Sequence, residues 1–257
     1  MEIIAHRGFS ARAPENTLAA IRAALDAGAD AVEWDMHAAA CGTPVLIHDP
    51  TLERTTDGTG TVVEHTAEAL RALDAGGWFH PDFAGEPVPT FAEALALTEP
   101  AGVTVYAEVK GCRDPGDLDR MARTVRQAGM ASRTVFISLD FGLVDHLARV
   151  APEARVGYVV DRRERMDDAL ARARPLGQRG VVDPDRRFVL REPDLVGRIR
   201  SQGNDVAVWT VDDPDEAEAL VRAGVRRLTT NRVTDLLRWR EARNPEARPR
   251  GARPGEG

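Results

Sequence analysis

"TVYAEVKG", residues 104 to 111, is one of eight short runs rich in β-branched residues that recur along the chain. Longer amphipathic stretches separate most of these runs. This alternation is typical of βαβ units that build a parallel sheet. The predicted strands are residues 2–7, 30–36, 103–110, 133–138, 155–160, 180–183, 206–211 and 227–230.

Amphipathic helices are predicted between these strands, and several of them end at a glycine, which is a frequent C-terminal cap. The helical patterns cover residues 16–28, 117–129, 142–150, 165–174, 192–203 and 214–224. Eight strands with intervening helices predict an α/β fold, the closed (β/α)8 or TIM barrel. The chain has 257 residues, which is a usual length for such a barrel. Functional side chains of these barrels lie at the C-terminal ends of the strands.

One segment does not fit this alternation. Residues 41–49, "CGTPVLIHD", follow the second strand too closely for a helical crossover, so we expect a hairpin extension of that strand. Residues from about 50 to 102 then form a small helical insertion. We therefore predict one barrel domain over residues 1–242. The remaining residues, 243–257, are rich in Pro, Gly and Arg and are expected to be disordered.

Charge and composition exclude some functions. The net charge of −7 argues against nucleic acid or an anionic membrane surface as the main partner, because both favour a basic face. No run approaches the ~20 apolar residues of a membrane span, and the chain enters a strand at once. We expect a cytoplasmic protein that takes a small-molecule substrate and does not associate stably with membranes. The sequence does not indicate an oligomeric state.

Carboxylates recur at a spacing of two on neighbouring predicted strands. Glu33 and Asp35 point to the same side of the second strand, and Glu108 and Lys110 repeat that spacing on the third. Carboxylates that face a barrel interior are costly unless they bind a cation or are otherwise paired. The three carboxylates together would form an all-oxygen site, which suits one divalent cation, Mg²⁺ or Ca²⁺, better than zinc.

Histidines lie at the same predicted rim. His6 and Arg7 end the first strand, and His48 follows the hairpin. Each has an ordinary interpretation, since His6 could be structural and His48 could stabilise a turn through Asp49. His37, beside the carboxylates, is a further candidate for the rim. The convergence of these groups on one end of one barrel is what favours a site.

Lys110 is the one lysine among 34 basic residues. Chance is one explanation in a chain so biased toward arginine. The other is that this position needs a compact ammonium on a thin stem, which a planar guanidinium cannot replace.

Motifs along nearly the whole chain resemble those of the glycerophosphodiester phosphodiesterase family in order and spacing. They are "AHRG", "APENT", "EWDM", "VLIHDPTLERTTDGTG", "AEVK" and "VWTV", between residue 5 and about residue 232. The resemblance implies a barrel with a divalent metal. It also implies hydrolysis of deacylated phospholipids, the glycerophosphodiesters, to glycerol 3-phosphate and an alcohol.

The resemblance also implies roles for individual residues. It makes His6 and His48 a catalytic acid and base, without deciding which is which, and assigns the phosphate to Arg7 and Lys110. The metal would be held by Glu33, Asp35 and Glu108. Trp209 could pack against the glycerol carbons, or be an ordinary core tryptophan. Glu15 is expected to steady Arg7, and Asn16 or Thr17 to cap the first helix.

Some features leave alternatives open. Asp212 stands where the family commonly has an asparagine, which puts the identity of the substrate in doubt. A related barrel phosphodiesterase that acts on lysophospholipids would need an apolar groove for an acyl chain. A barrel that binds glycerophosphodiesters without turnover is a third possibility. The nucleophile could be water or a hydroxyl of the substrate itself.

Overall fold

A computed structural model describes residues 1–243 of the chain, in which nine strands form one sheet. They are β1 (Glu2–Ala5), β2 (Ala31–Ala38), β3 (Pro44–Leu46), β4 (Thr104–Gly111), β5 (Thr134–Ser138), β6 (Arg155–Val160), β7 (Gly180–Pro184), β8 (Asp205–Val206) and β9 (Arg227–Thr230). Eight of them are parallel, in the order β8-β7-β6-β5-β4-β2-β1-β9. Between β8 and β9 the Val208 N–H donates to the Arg227 carbonyl at 3.1 Å, and the Thr229 N–H donates to the Val208 carbonyl at 2.9 Å. The predicted (β/α)8 barrel is confirmed.

Ten α-helices accompany the strands in this part of the chain. They are α1 (Leu18–Asp26), α2 (Ala67–Arg71), α3 (Phe91–Thr98), α4 (Pro115–Gln127), α5 (Phe141–Val150), α6 (Met166–Ala173), α7 (Arg186–Arg191), α8 (Asp194–Ser201), α9 (Pro214–Arg222) and α10 (Val233–Arg243). Two of them, α7 and α10, were not predicted. The tail predicted to be disordered begins at residue 243, which is the last residue of α10, and its other residues lie outside those described.

Two strands are shorter than predicted by two residues or more. β1 ends at Ala5, because Arg7 and Gly8 adopt positive φ angles of 55° and 77° and turn the chain out of the sheet. Regular pairing of β8 ends at Val206. The residues beyond it form single bridges to two different neighbours. Val208 pairs with Leu228 of β9, and Trp209 pairs with Asp185, which follows β7.

The hairpin after the second barrel strand is present. β3 pairs antiparallel with β2, with Met36 opposite Leu46. The insertion that follows contains α2 and has its own small apolar core. Its last helix, α3, belongs to the barrel instead, since Phe91 packs on Trp34 of β2 with 6.1 Å between ring centroids. Thus α3 is the barrel helix that connects β2 to β4.

The barrel interior is built in layers. Its middle is apolar and is filled by alternate strand residues: Ile4, Ala31, Tyr106, Val135, Ile137, Val159, Val181 and Ala207. Ion pairs close the bottom, with Arg227 on Glu2 at 2.8 Å and Arg155 on Asp205 at 2.9 Å. A second set of polar groups lies at the opposite end, where the strands reach their C-termini. Among the described residues, the helices are too short or too polar to cross a membrane.

Candidate active site

A cavity of about 220 Å³ opens at the C-terminal ends of the barrel strands. It brings together seven of the eight side chains predicted for the site, namely His6, Arg7, Glu33, His48, Glu108, Lys110 and Trp209. The eighth, Asp35, lies behind them and is fully buried. The convergence expected from the strand pattern is therefore present in the structure.

The turn after β1 is hydrogen-bonded to Glu33 of β2. The backbone N–H of Arg7 donates to Glu33 Oε2 at 2.8 Å, and the N–H of Gly8 donates to the Glu33 carbonyl at 3.1 Å. Glycine is needed at position 8, because a Cβ there would lie 2.6 Å from the Ala20 carbonyl carbon on α1. The turn holds one carboxylate oxygen of Glu33 in place and lets α1 pack closely.

Gly8→Ala should destabilise the fold by about 2–5 kcal/mol, the sum of a left-handed backbone cost and an overpacking cost. Urea unfolding of parent and variant measures this difference. The matched control is Gly28→Ala, since Gly28 has a similar φ of 84° but no heavy atom within 4 Å of the added Cβ. The control should lose only about 1–2 kcal/mol. Equal losses in the two variants would show that the contact with α1 does not matter.

Three carboxylates meet beside this turn. One oxygen from each of Glu33, Asp35 and Glu108 lies within 4.8 Å of the others. Burial and then the charges of Asp35 and Glu108 raise the pKa of Glu33 well above its ordinary value. Burial likewise raises the pKa of Glu108 to about 7, although Lys110 opposes the shift. Burial would also raise the pKa of Asp35, but Lys110 and Arg7 hold it below its ordinary range.

Two cations and one amide surround Asp35. Lys110 Nζ lies 2.6 Å from Glu108 Oε1 and 3.2 Å from Asp35 Oδ1, while Arg7 Nε lies 3.0 Å from Asp35 Oδ2. Asn16 donates its side-chain amide to Asp35 Oδ2 and accepts the Asp35 backbone N–H, both at 2.9 Å. Asn16 therefore positions Asp35, and the cap of α1 is Thr17, whose hydroxyl accepts the Ala20 N–H.

The carboxylate cluster fits a bound cation. Glu33 Oε1 is buried and has no hydrogen-bond partner among residues 1–243. Within the described part of the chain the three carboxylates pair with two cations, Arg7 and Lys110, so full ionisation leaves one excess negative charge in a buried place. A hard divalent cation such as Mg²⁺ or Ca²⁺ takes oxygen ligands of this kind.

His6 is held by an amide from the far end of the chain. Its Nδ1 lies 2.7 Å from Asn231 Oδ1. The Asn231 amide nitrogen donates to Asp212 at 2.7 Å, so its carbonyl oxygen must face His6 and accept the Nδ1 proton. Burial, followed by the charge of Arg7, lowers the pKa of His6 to about 4. The imidazole is thus neutral near pH 7, with its lone pair on Nε2.

His48 is connected to Arg7 through a chain of ion pairs. Its Nδ1 lies 2.6 Å from Asp49 Oδ1, and Asp49 Oδ2 accepts from Arg54 Nε at 2.5 Å. Arg54 also donates to Glu15 at 2.8 Å, and Glu15 accepts from Arg7 at 2.8 Å. The expected support of Arg7 by Glu15 is confirmed. The insertion and the turn after β1 therefore position each other.

Several residues around the site were not predicted. Arg54 and Asn231 act on the site only through chain segments that the fold brings close. Asp183 is different, because it ends a predicted strand and alternates inward with Val181, a signal that was present in the sequence. His37 does not line the cavity, and its Nε2 lies 3.0 Å from the His48 carbonyl in the hairpin.

Fixed cations, two imidazoles and a carboxylate cluster at one end of a parallel barrel are groups that can promote the cleavage of a phosphodiester. Fold and site thus define a class of enzyme, the phosphoric diester hydrolases. Within that class the chain belongs to the glycerophosphoryl diester phosphodiesterase family, whose model matches residues 6–235. The resemblance found in the sequence motifs is confirmed.

Relatives and solved structures agree with this assignment. The chain is 30% identical over 249 residues to a glycerophosphodiester phosphodiesterase of Caldanaerobacter subterraneus, which covers 91% of this chain and 96% of the relative. A crystal structure of the enzyme from Agrobacterium tumefaciens is 32% identical with a TM-score of 0.78, over 91% of this chain and 97% of the other. A phosphodiesterase of Oleispira antarctica, solved with the product sn-glycerol-3-phosphate, is 25% identical with a TM-score of 0.80, over 94% and 97% of the two chains.

Proposed function

We propose that the protein hydrolyses glycerophosphodiesters to sn-glycerol 3-phosphate and an alcohol, using one divalent cation and two histidines. The observation that carries this proposal is the cavity that His6 and His48 line together with Glu33 and Glu108, two members of the buried carboxylate cluster that Asp35 completes. The product bound by the Oleispira antarctica phosphodiesterase supports glycerol 3-phosphate as the product here.

The cation would be held by Glu33, Asp35 and Glu108. Bound there, Mg²⁺ or Ca²⁺ supplies Lewis-acid stabilisation of the charge that develops on the phosphoryl oxygens. Arg7 and Lys110 contribute fixed positive charge at the same place, and because they are already oriented by carboxylates they need little rearrangement during the reaction.

The two histidines divide the proton transfers. His6 is neutral and keeps its lone pair on Nε2, so it acts as the general base that takes a proton from the nucleophile. His48 donates its Nδ1 proton to Asp49 in a hydrogen bond and can deliver the proton on Nε2 to the departing alkoxide as general acid. After each turnover His6 releases its proton to solvent and His48 takes one up, so both residues return to their starting states.

The apolar side of the cavity suits the glycerol carbons. Ile137, Val159 and Trp209 line it. An acyl chain is a poor fit, since about 220 Å³ is below the roughly 300–1,000 Å³ of sites that take a drug-sized ligand. Deacylated substrates are therefore favoured over lysophospholipids.

Turnover of glycerophosphocholine and of lysophosphatidylcholine, each followed by the release of choline and of the phosphate monoester, tests the proposal. We expect glycerol 3-phosphate and choline from the first substrate and little turnover of the second. Faster cleavage of the lysophospholipid would contradict the assignment of substrate. Binding of glycerophosphocholine without turnover would identify a non-catalytic barrel. Reaction in ¹⁸O-labelled water, with a search for a cyclic phosphate, distinguishes the two candidate nucleophiles.

Lys110→Arg should keep the fold and the net charge but lower kcat/KM by roughly tenfold or more. The Lys110 side chain is only 15% exposed, and its ammonium lies between Glu108 and Asp35. A guanidinium in that place is wider and must satisfy five donors. The measurement is kcat/KM for the parent, Lys110→Arg and Lys110→Ala, with thermal melts alongside.

The control for this comparison is Arg222→Lys on α9, where the side chain is 77% exposed and forms an ion pair with Glu218 at 3.0 Å. That exchange should change neither activity nor melting temperature. If Lys110→Arg is as active as the parent, the solitary lysine is a product of chance.

A further inference from the structure

Asp183 carries a buried carboxyl that the proposed mechanism does not use. It lies on β7, is 3% exposed, and its Oδ1 has no hydrogen-bond partner among residues 1–243. A buried carboxyl without a partner is costly, and a valine or leucine at this position would be more favourable for stability alone. Its neighbour Asp185 is no parallel case, because that carboxylate caps α7 and pairs with Arg187 at 2.7 Å.

The position of Asp183 in the barrel is defined by the strand order. β7 is the sixth of the eight barrel strands and β2 is the second, so the two lie opposite each other. Val181 belongs to the apolar middle of the barrel, and Asp183, two residues later, faces the mouth one layer above it. Asp183 therefore faces, across the cavity, the strand that carries Glu33.

Apolar side chains line the cavity together with Asp183. Ile137 and Val159 line the same part of the cavity, and the Trp209 indole N–H donates to the Asp183 main-chain carbonyl at 3.0 Å. Burial and then the charge of Glu108 raise the pKa of the side chain to about 8, so near pH 7 the carboxyl does not add a full negative charge close to an anionic substrate. A hydroxyl group could still donate to it or accept from it.

We propose that Asp183 binds the terminal hydroxyl of the substrate's glycerol, the one farthest from the phosphate, and so selects glycerol over other alcohols. This rests on the proposed function, which puts the phosphate beside Glu33, Asp35 and Glu108. The glycerol carbons then extend across the mouth along Ile137, Val159 and Trp209, and the end of the chain meets Asp183. A site with a buried polar group rejects an analogue that leaves the group unpaired more strongly than an apolar pocket can.

The test compares two substrates, glycerophosphocholine and the 2-hydroxypropyl ester of phosphocholine. The second lacks only the terminal hydroxyl and keeps the hydroxyl next to the phosphate, so both candidate nucleophiles remain available. The parent should prefer glycerophosphocholine in kcat/KM by roughly 10- to 100-fold. Asp183→Leu should abolish most of that preference by slowing glycerophosphocholine alone, and Asp183→Asn should retain part of it.

Asp185→Asn is the matched control, since it alters a carboxylate two residues away that does not line the cavity, and it should keep the parent's preference. Asp183→Leu should melt no lower than the parent, because it removes an unpartnered polar group; if it does not fold, the substrate ratio of Asp183→Asn decides. Equal losses on both substrates in an Asp183 variant would overturn the inference and make the residue structural. A parent that cleaves neither substrate would instead contradict the proposed function.

Discussion

Removal of divalent metal with EDTA should abolish turnover of glycerophosphocholine, and addition of Mg²⁺ or Ca²⁺ should restore it. Glu33→Gln should be as inactive as the metal-free protein even when metal is present. Glu33 contributes the buried oxygen that has no partner among the described residues. We expect a loss of at least 10³-fold in kcat, since both the ligand set and the charge at the phosphate are changed. The measurement is kcat for stripped, reloaded and variant protein.

Metal binding should also depend on pH in a defined direction. The pKa of Glu108 is raised to about 7, so below that pH the carboxyl holds a proton that a cation must displace. Affinity should therefore rise between pH 6 and pH 8, with release of protons on binding. Calorimetry in two buffers of different ionisation enthalpy measures this. Full activity in metal-free protein, or a metal affinity that falls as the pH rises, would contradict the site.

Replacement of either histidine of the proposed pair should lower kcat by about 10²-fold or more, the usual scale for a lost general acid or base. His6→Ala should remove the acid limb of the pH profile, because the proposed general base must be unprotonated. At saturating metal, the acid limb of the parent should lie well below pH 6.5, since the pKa of His6 is lowered to about 4 and activity falls only as the pH drops through that value.

A matched control exists on α5. His146 lies 2.9 Å from the Asp119 carboxylate, much as His48 contacts Asp49, but it is outside the cavity. His146→Ala should keep parent kcat and both limbs. If His6→Ala or His48→Ala behaves like this control, that histidine is structural. An acid limb near pH 6.5 in the parent would contradict a neutral, buried His6.

Asn231 is a residue that positions the imidazole of His6. Asn231 lies 225 positions from His6 along the chain and was not predicted, yet it determines which nitrogen of the imidazole carries the proton. Asp212 in turn orients Asn231, accepting its backbone N–H at 2.8 Å and its amide at 2.7 Å. The aspartate at a position where the family commonly has an asparagine therefore has a structural role, which the sequence alone did not suggest.

The local periodicity of the sequence was enough to predict the fold and one cluster of the site. A strand shows alternate residues to opposite sides, so the spacing of Glu33 with Asp35 and of Glu108 with Lys110 was enough to predict one cluster facing inward. The alternation of strand and helix predicted the barrel, and the barrel predicted which strand ends meet. Those inferences need only neighbours in the chain and one general rule of topology.

Tertiary structure alone decided which groups complete the site. Arg54 reaches Glu15 across 39 positions, Asn231 reaches His6 across 225, and Asp183 faces Glu33 only because an eight-stranded barrel puts its sixth strand opposite its second. No periodic pattern carries this information, because a hydrogen bond between distant segments depends on how the barrel closes. The pKa of each group follows from burial and charge at those contacts, and so it also depends on the closed barrel.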